Sequence, residues 1–116
     1  MRIEDIAIIC YEVDQASNGV KANQISWDLL PLEMRQEFID EVRYIHSVES
    51  ITPKEWHEHW CKQKKDNGWK FSREKNTLLK VHPCIIPWEA LSRKQKQRRQ
   101  VFVSIVNVLR DSHDHI

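Results

Sequence analysis

Apolar positions along the chain keep a helical spacing in four stretches and lose it in one. Ile3, Ile6, Ala7, Cys10 and Val13 recur at steps of three and four residues, which predicts a first amphipathic helix. Its expected stop is Ser17-Asn18-Gly19, where Gly19 can take a left-handed cap. Residues 20–30 read as a loop anchored by the bulky indole of Trp27. Pro31, a residue favoured at the first helical position, opens a second helix with Phe38, Ile39, Val42, Ile45 and His46 on its inner face. Thr52-Pro53-Lys54-Glu55 is a capping box, and the helix it starts runs to Asn67-Gly68. Ser92 and Gln95 form a second such box, ahead of a helix carrying Val101, Phe102, Ile105, Val108 and Leu109 inward. Between these last two helices, residues 69–91 show no period, and Pro83 and Pro87 push the residues before them out of helix. That segment is expected to be extended, with short strands and a short helix around 74–79. The fold class is all-α.

Composition narrows the alternatives. With 116 residues the chain is expected to form a single domain, 1–116, burying about 65% of its unfolded surface. Gly19 and Gly68 are the only glycines, too few for a G-x-G-x-x-G or G-x-x-x-x-G-K phosphate loop or for a turn-rich β sandwich. No apolar run reaches membrane-spanning length, and Met1-Arg2-Ile3-Glu4-Asp5 places acids where a signal peptide carries bases. The expected location is therefore cytoplasmic. Cys10, Cys61 and Cys84 are odd in number and irregularly spaced, which fits reduced, buried thiols better than a disulfide framework.

Charge adds an asymmetry that the net value of +1 hides. Residues 1–50 carry ten acids and four bases, a balance of −6, whereas residues 51–116 carry seven acids and fourteen bases, a balance of +7. Two readings stay open: an anion-binding half, or two halves that attract each other.

The candidate chemistry is uneven. His57-Glu58-His59-Trp60-Cys61 places His57 and Cys61 one helical turn apart, with His82 or Cys84 as a further zinc ligand, but the C-x-x-C pair and third histidine of familiar zinc sites are missing. No metal and no cofactor are expected. Cys84 follows His82 but lies in the apolar run Pro83-Cys84-Ile85-Ile86, where an inert thiol is expected. No carboxylate pair stands out, so the chain does not read as an enzyme. Arg93, Lys94, Lys96, Arg98 and Arg99 crowd the start of the last helix, against its dipole, either as a solvated face or toward an acidic partner. Trp69-Lys70-Phe71 with Arg73, Lys75, Lys80 and His82 is the most informative set, because aromatic faces stack a base and cations hold phosphates.

Several of these residues fall into a familiar pattern. His57-Glu58-x-Trp60-x-x-x-Lys64, Gly68-Trp69-x-Phe71 and Lys80-x-His82-Pro83-Cys84-Ile85-x-Pro87-Trp88 resemble the RyR domain, the repeat of ryanodine receptors that also occurs as small stand-alone proteins of bacteria and phages. Ile6-Ala7-x-x-Cys10-Tyr11-Glu12-Val13, Trp27-x-x-x-Pro31 and Gln95-Lys96-x-Arg98 look like the prokaryotic versions, so the resemblance extends over nearly the whole chain. It implies a mostly helical domain without catalysis, adenine nucleotides as ligands, and a homodimer in place of the receptors' tandem pairing. The chain departs from the pattern at Ser72, where the family commonly has Gly, and at Lys75-Asn76 and Arg99, where it commonly carries an acid, and the two lost acids make the surroundings of the expected site more basic.

The expected function is a nucleotide-binding module, in a phage one that sequesters a cyclic oligonucleotide or cyclic ADP-ribose-type immune signal of the host. Trp69 and Phe71 would stack the base, Lys64, Arg73, Lys75 and Lys80 would hold phosphate, and His82 would orient the ligand, with His57, Trp60 and Trp88 completing the site. Two alternatives remain: a protein-interaction module, and RNA binding through residues 93–99, although the pI near 7.8 makes nucleic acid an unlikely partner.

Overall fold

The computed structural model describes residues 1–17 and 25–113, and the predicted left-handed cap at Gly19 lies outside them. The fold is mostly helical. Helices α1 (Ile3–Ser17), α2 (Leu32–Ser47), α3 (Pro53–Asp66) and α4 (Arg93–His113) alternate with 3-10 turns at Trp27–Leu29 and Trp88–Ala90 and with two short strands, β1 (Lys70–Phe71) and β2 (Val81–His82). Among the described residues no helix is long and apolar enough to cross a membrane.

The chain forms two compact units, Met1–Ile51 with Gln100–Ile116, and Thr52–Arg99. In the first, α1 buries Ile6, Ala7, Cys10 and Tyr11, α2 buries Val42 and Ile45, and α4 buries Val103 and Val106. Trp27 is buried as expected and meets Tyr11 and Phe38 edge-on. Tyr11 Oη donates to the carbonyl of Ile25, and Arg110 donates to the carbonyls of Ile45 and His46, satisfying two acceptors at the end of α2. Pro31 stands one residue before α2 rather than within it, and its carbonyl accepts from Met34 and Arg35.

Two expectations fail. Val101 and Val108 face solvent, while Val103 and Val106 take the core positions. The run Val101-Phe102-Val103-Ser104-Ile105-Val106 is apolar on nearly every side, so spacing alone does not fix which stripe turns inward. Residues 74–79 are not helical. Asn76 pairs both backbone groups with Val81, and its side-chain oxygen accepts from Leu79 N–H at 3.1 Å, which closes a turn where a helix needs i to i+4 bonds.

The second unit follows the local signals closely. Thr52 Oγ1 accepts from Glu55 N–H at 3.1 Å, and Glu55 returns the bond to Thr52 N–H at 3.0 Å. Ser92 and Gln95 do the same at 3.1 and 2.8 Å. α3 ends in a Schellman motif: Gly68 at φ +88° donates to Lys65 O at 3.0 Å, and Trp69 N–H reaches Lys64 O at 2.9 Å. β1 and β2 pair in parallel, Lys70 with Val81 and Phe71 with His82.

Candidate ligand-binding site

The spacing of α3 places His57, Trp60, Cys61 and Lys64 along one face of the helix. The Schellman motif then turns the chain so that Trp69, the residue after Gly68, comes back beside Lys64. Lys64 Nζ lies 4.4 Å from the Trp69 ring centroid and 5.9 Å from that of Trp60. From β2, the His82 ring meets Trp60 edge-on at 5.1 Å. From α4, the Arg99 guanidinium carbon lies 5.3 Å from the Trp60 centroid and 6.0 Å from that of Trp56. One indole thus gathers a lysine, an arginine and an imidazole from three elements.

His57 holds this arrangement from beneath. It is 1% exposed, Arg99 Nε donates to its Nδ1 at 2.8 Å, and its Nε2 donates to Ile86 O at 2.7 Å. Those partners assign the neutral imidazole with its proton on Nε2. Burial lowers the His57 pKa, opposed by the Ile86 bond and reinforced by Arg99. Cys61 Sγ lies 3.4 Å from the same Nε2, and Gln95 Nε2 donates to Cys84 Sγ at 3.4 Å. Cys10, Cys61 and Cys84 are all buried free thiols, and burial drives the Cys10 pKa up to about 12. Among the described residues no group of three His, Cys, Asp or Glu side chains could hold a metal ion.

The electrostatics are one-sided. Arg99 is half-buried, and desolvation lowers its pKa. Among the described residues no carboxylate pairs with Arg99, Arg73 or Lys75. His82 Nδ1 accepts from Cys84 N–H at 2.9 Å, which puts the proton of the neutral ring on Nε2. Its pKa falls to about 4, first through burial and then through Lys75, Arg99, Lys64 and Arg98. An imidazole surrounded by four cations marks a region of positive potential.

The expected site residues therefore divide. His57, Trp60, Lys64, Trp69 and His82 converge, and Trp88 joins them through the His57 ring at 6.0 Å. Phe71, at 53% exposed, and Arg73 lie outside this ring cluster. Lys75 is exposed and acts on His82 through charge. Lys80, at φ +53°, donates from Nζ to Asn67 O at 3.1 Å and so ties the loop to the end of α3. The basic run is not wholly solvated: Lys96 Nζ lies 5.8 Å from the Trp88 centroid, and Arg99 turns inward. Arg99 and Trp56 were absent from the expected set. The signal for Arg99 was its place on the face of α4 that also carries Gln95, one turn earlier.

A family model for the RyR domain matches residues 31–112. The chain belongs to the RyR domain family. The match takes in the whole Thr52–Arg99 unit and leaves α1 outside it. No curated protein matches the chain. Within this RyR domain the Gly68-Trp69 step and the His82-Pro83-Cys84 turn have clear structural jobs. The first returns an indole to Lys64, and the second orients the imidazole through the Cys84 amide.

Proposed function

We propose that the Thr52–Arg99 unit is a non-catalytic binding module for a nucleotide-type ligand. Arg99 carries this reading. A desolvated guanidinium without a carboxylate partner is costly unless an anion completes it, and this one is held near the Trp60 and Trp56 indoles by a buried neutral histidine. In the proposed complex the base stacks on the half-buried indoles of Trp69 and Trp60, and phosphate takes Arg99, Lys64 and Lys75. His82 Nε2–H adds a neutral donor. His57 positions Arg99, Trp88 packs against the His57 ring at 6.0 Å, and Phe71, Arg73 and Lys80 belong to the exposed rim. A module that binds without converting its ligand acts as a sink. That role suits a phage protein withdrawing a cyclic oligonucleotide or cyclic ADP-ribose-type signal in the host cytoplasm.

Isothermal titration calorimetry with AMP, ADP, a cyclic dinucleotide and adenosine tests the reading. A phosphorylated ligand is expected to bind at least about tenfold more tightly than adenosine. Trp69→Ala and Lys64→Met should each weaken binding, and the ligand should be recovered chemically unchanged. Absence of heat with every nucleotide overturns the proposal.

A further inference from the structure

The loop between β1 and β2 ends in leucines that the described chain leaves in water. The backbone bonds of Asn76 to Val81, at 3.0 and 3.1 Å, and the Asn76 side-chain bond to Leu79 fix the turn. Its tip holds Leu78 at 96% and Leu79 at 71% exposed. Turns ordinarily carry polar residues at such positions, so a fixed apolar tip indicates something that covers it. Residues 70–80 hold four bases, Lys70, Arg73, Lys75 and Lys80, and one acid, Glu74.

A second exposed apolar patch has the opposite charge. Leu29 and Leu32, at 76% and 73% exposed, flank Pro31 in the other unit. Asp28 and Glu33 beside them are exposed and without an ion-pair partner among the described residues. Residues 25–34 contain no base.

We infer that these patches are the two halves of one contact between copies of this chain, the leucine tip with Arg73 and Lys75 of one copy seating on Leu29 and Leu32 with Asp28 and Glu33 of another. Apolar tip meets apolar patch, and basic rim meets acidic rim. An anionic membrane would attract the tip but repel Asp28 and Glu33, leaving the second patch uncovered. The contact is heterologous, unlike surfaces rather than like on like. The contact shares Lys75 and Arg73 with the edge of the proposed ligand site, but its apolar half, Leu78 and Leu79, lies outside the indole cluster, so the leucine variants test it separately from the ligand reading.

Sedimentation velocity on the full chain up to about 1 mM, where even a weak contact populates, tests this with two exposed-site variants. The tip variant carries Leu78→Ser with Leu79→Ser, and the patch variant carries Leu29→Ser with Leu32→Ser. Wild type is expected to associate, each variant alone to sediment as a monomer, and an equal mixture of the two to pair again, because one supplies an intact tip and the other an intact patch. Arg73→Glu should weaken wild-type association about tenfold, and Glu33→Arg on the partner copy should restore it. A wild type that stays monomeric at 1 mM overturns the inference. So does a variant that still self-associates alone, or a monomeric chain whose tip binds phosphatidylserine vesicles.

Discussion

The two units each contain an aromatic cluster, and the clusters are built differently. In the first unit Tyr11, Trp27 and Phe38 meet edge-on at 5.5 to 6.1 Å, with no cation over any of these three rings among the described residues. Trp27 is 4% exposed. In the second unit Trp60, Trp69 and Trp88 are half-buried, and Lys64, Lys96 and Arg99 lie over their rings. Edge-on rings sealed from water supply packing. Half-open rings beneath Lys64, Lys96 and Arg99 supply packing and, in the function proposed above, a place for an anion. Aromatic content therefore does not separate core from site in this chain, whereas the charge around the rings does.

Removing an indole from the sealed cluster should have the largest effect. Trp27→Ala is expected to cost about 3–5 kcal/mol of stability in chemical denaturation, with nucleotide affinity per folded molecule unchanged. A loss of affinity matching that of Trp69→Ala would erase the distinction between the clusters.

Acid should act on the second cluster. The His82 pKa lies at about 4 in the folded chain, below its unfolded value near 6.5. The unfolded chain thus binds the proton first as pH falls, so stability is full above about pH 6.5 and declines toward pH 4, by up to about 3 kcal/mol. His57, lowered by burial, adds in the same direction. Urea midpoints measured across this range should slope in wild type and flatten in His82→Gln. A bound anion raises the His82 pKa, so affinity should increase as pH falls through the same window, with proton uptake visible in calorimetry.

Arg99→Ala should lose about 2 kcal/mol of nucleotide binding, roughly 30-fold, and Arg99→Lys should not recover it, because a lysine lacks the fork that donates Nε–H to His57 while leaving two further nitrogens for phosphate. Full recovery by lysine would reduce Arg99 to a bare charge. The smallest expected effect is at Thr52, where Thr52→Ala removes one bond of the α3 cap and should lower stability by about 1 kcal/mol.

What the chain disclosed in advance was local. Thr52 with Glu55 and Ser92 with Gln95 cap helices through side chains three residues apart, and Gly68 ends α3 because a left-handed residue is needed there. Trp60 and Lys64 entered through the resemblance to the RyR domain, and Trp69 through the aromatic and basic residues beside it. What escaped depends on partners distant in sequence. Arg99 reads as one base among five until His57, 42 residues away, accepts its Nε–H. Val103 displaces Val101 from the core because the other apolar stripe of α4 is the one that faces the interior, a choice residue spacing leaves open. Asn76 makes a turn because Val81 completes its bonds, and a helical reading of 74–79 has no access to that pairing.

The most direct test follows the indole and imidazole signals of the intact chain by NMR while AMP is added, with adenosine as control. Trp60, Trp69 and His82 are expected to shift in a saturable way with AMP, adenosine to move them less, and Trp27 to stay fixed. Saturable shifts at Trp27 without any at Trp60, Trp69 or His82 would contradict the proposed site, as would a spectrum that AMP leaves unchanged.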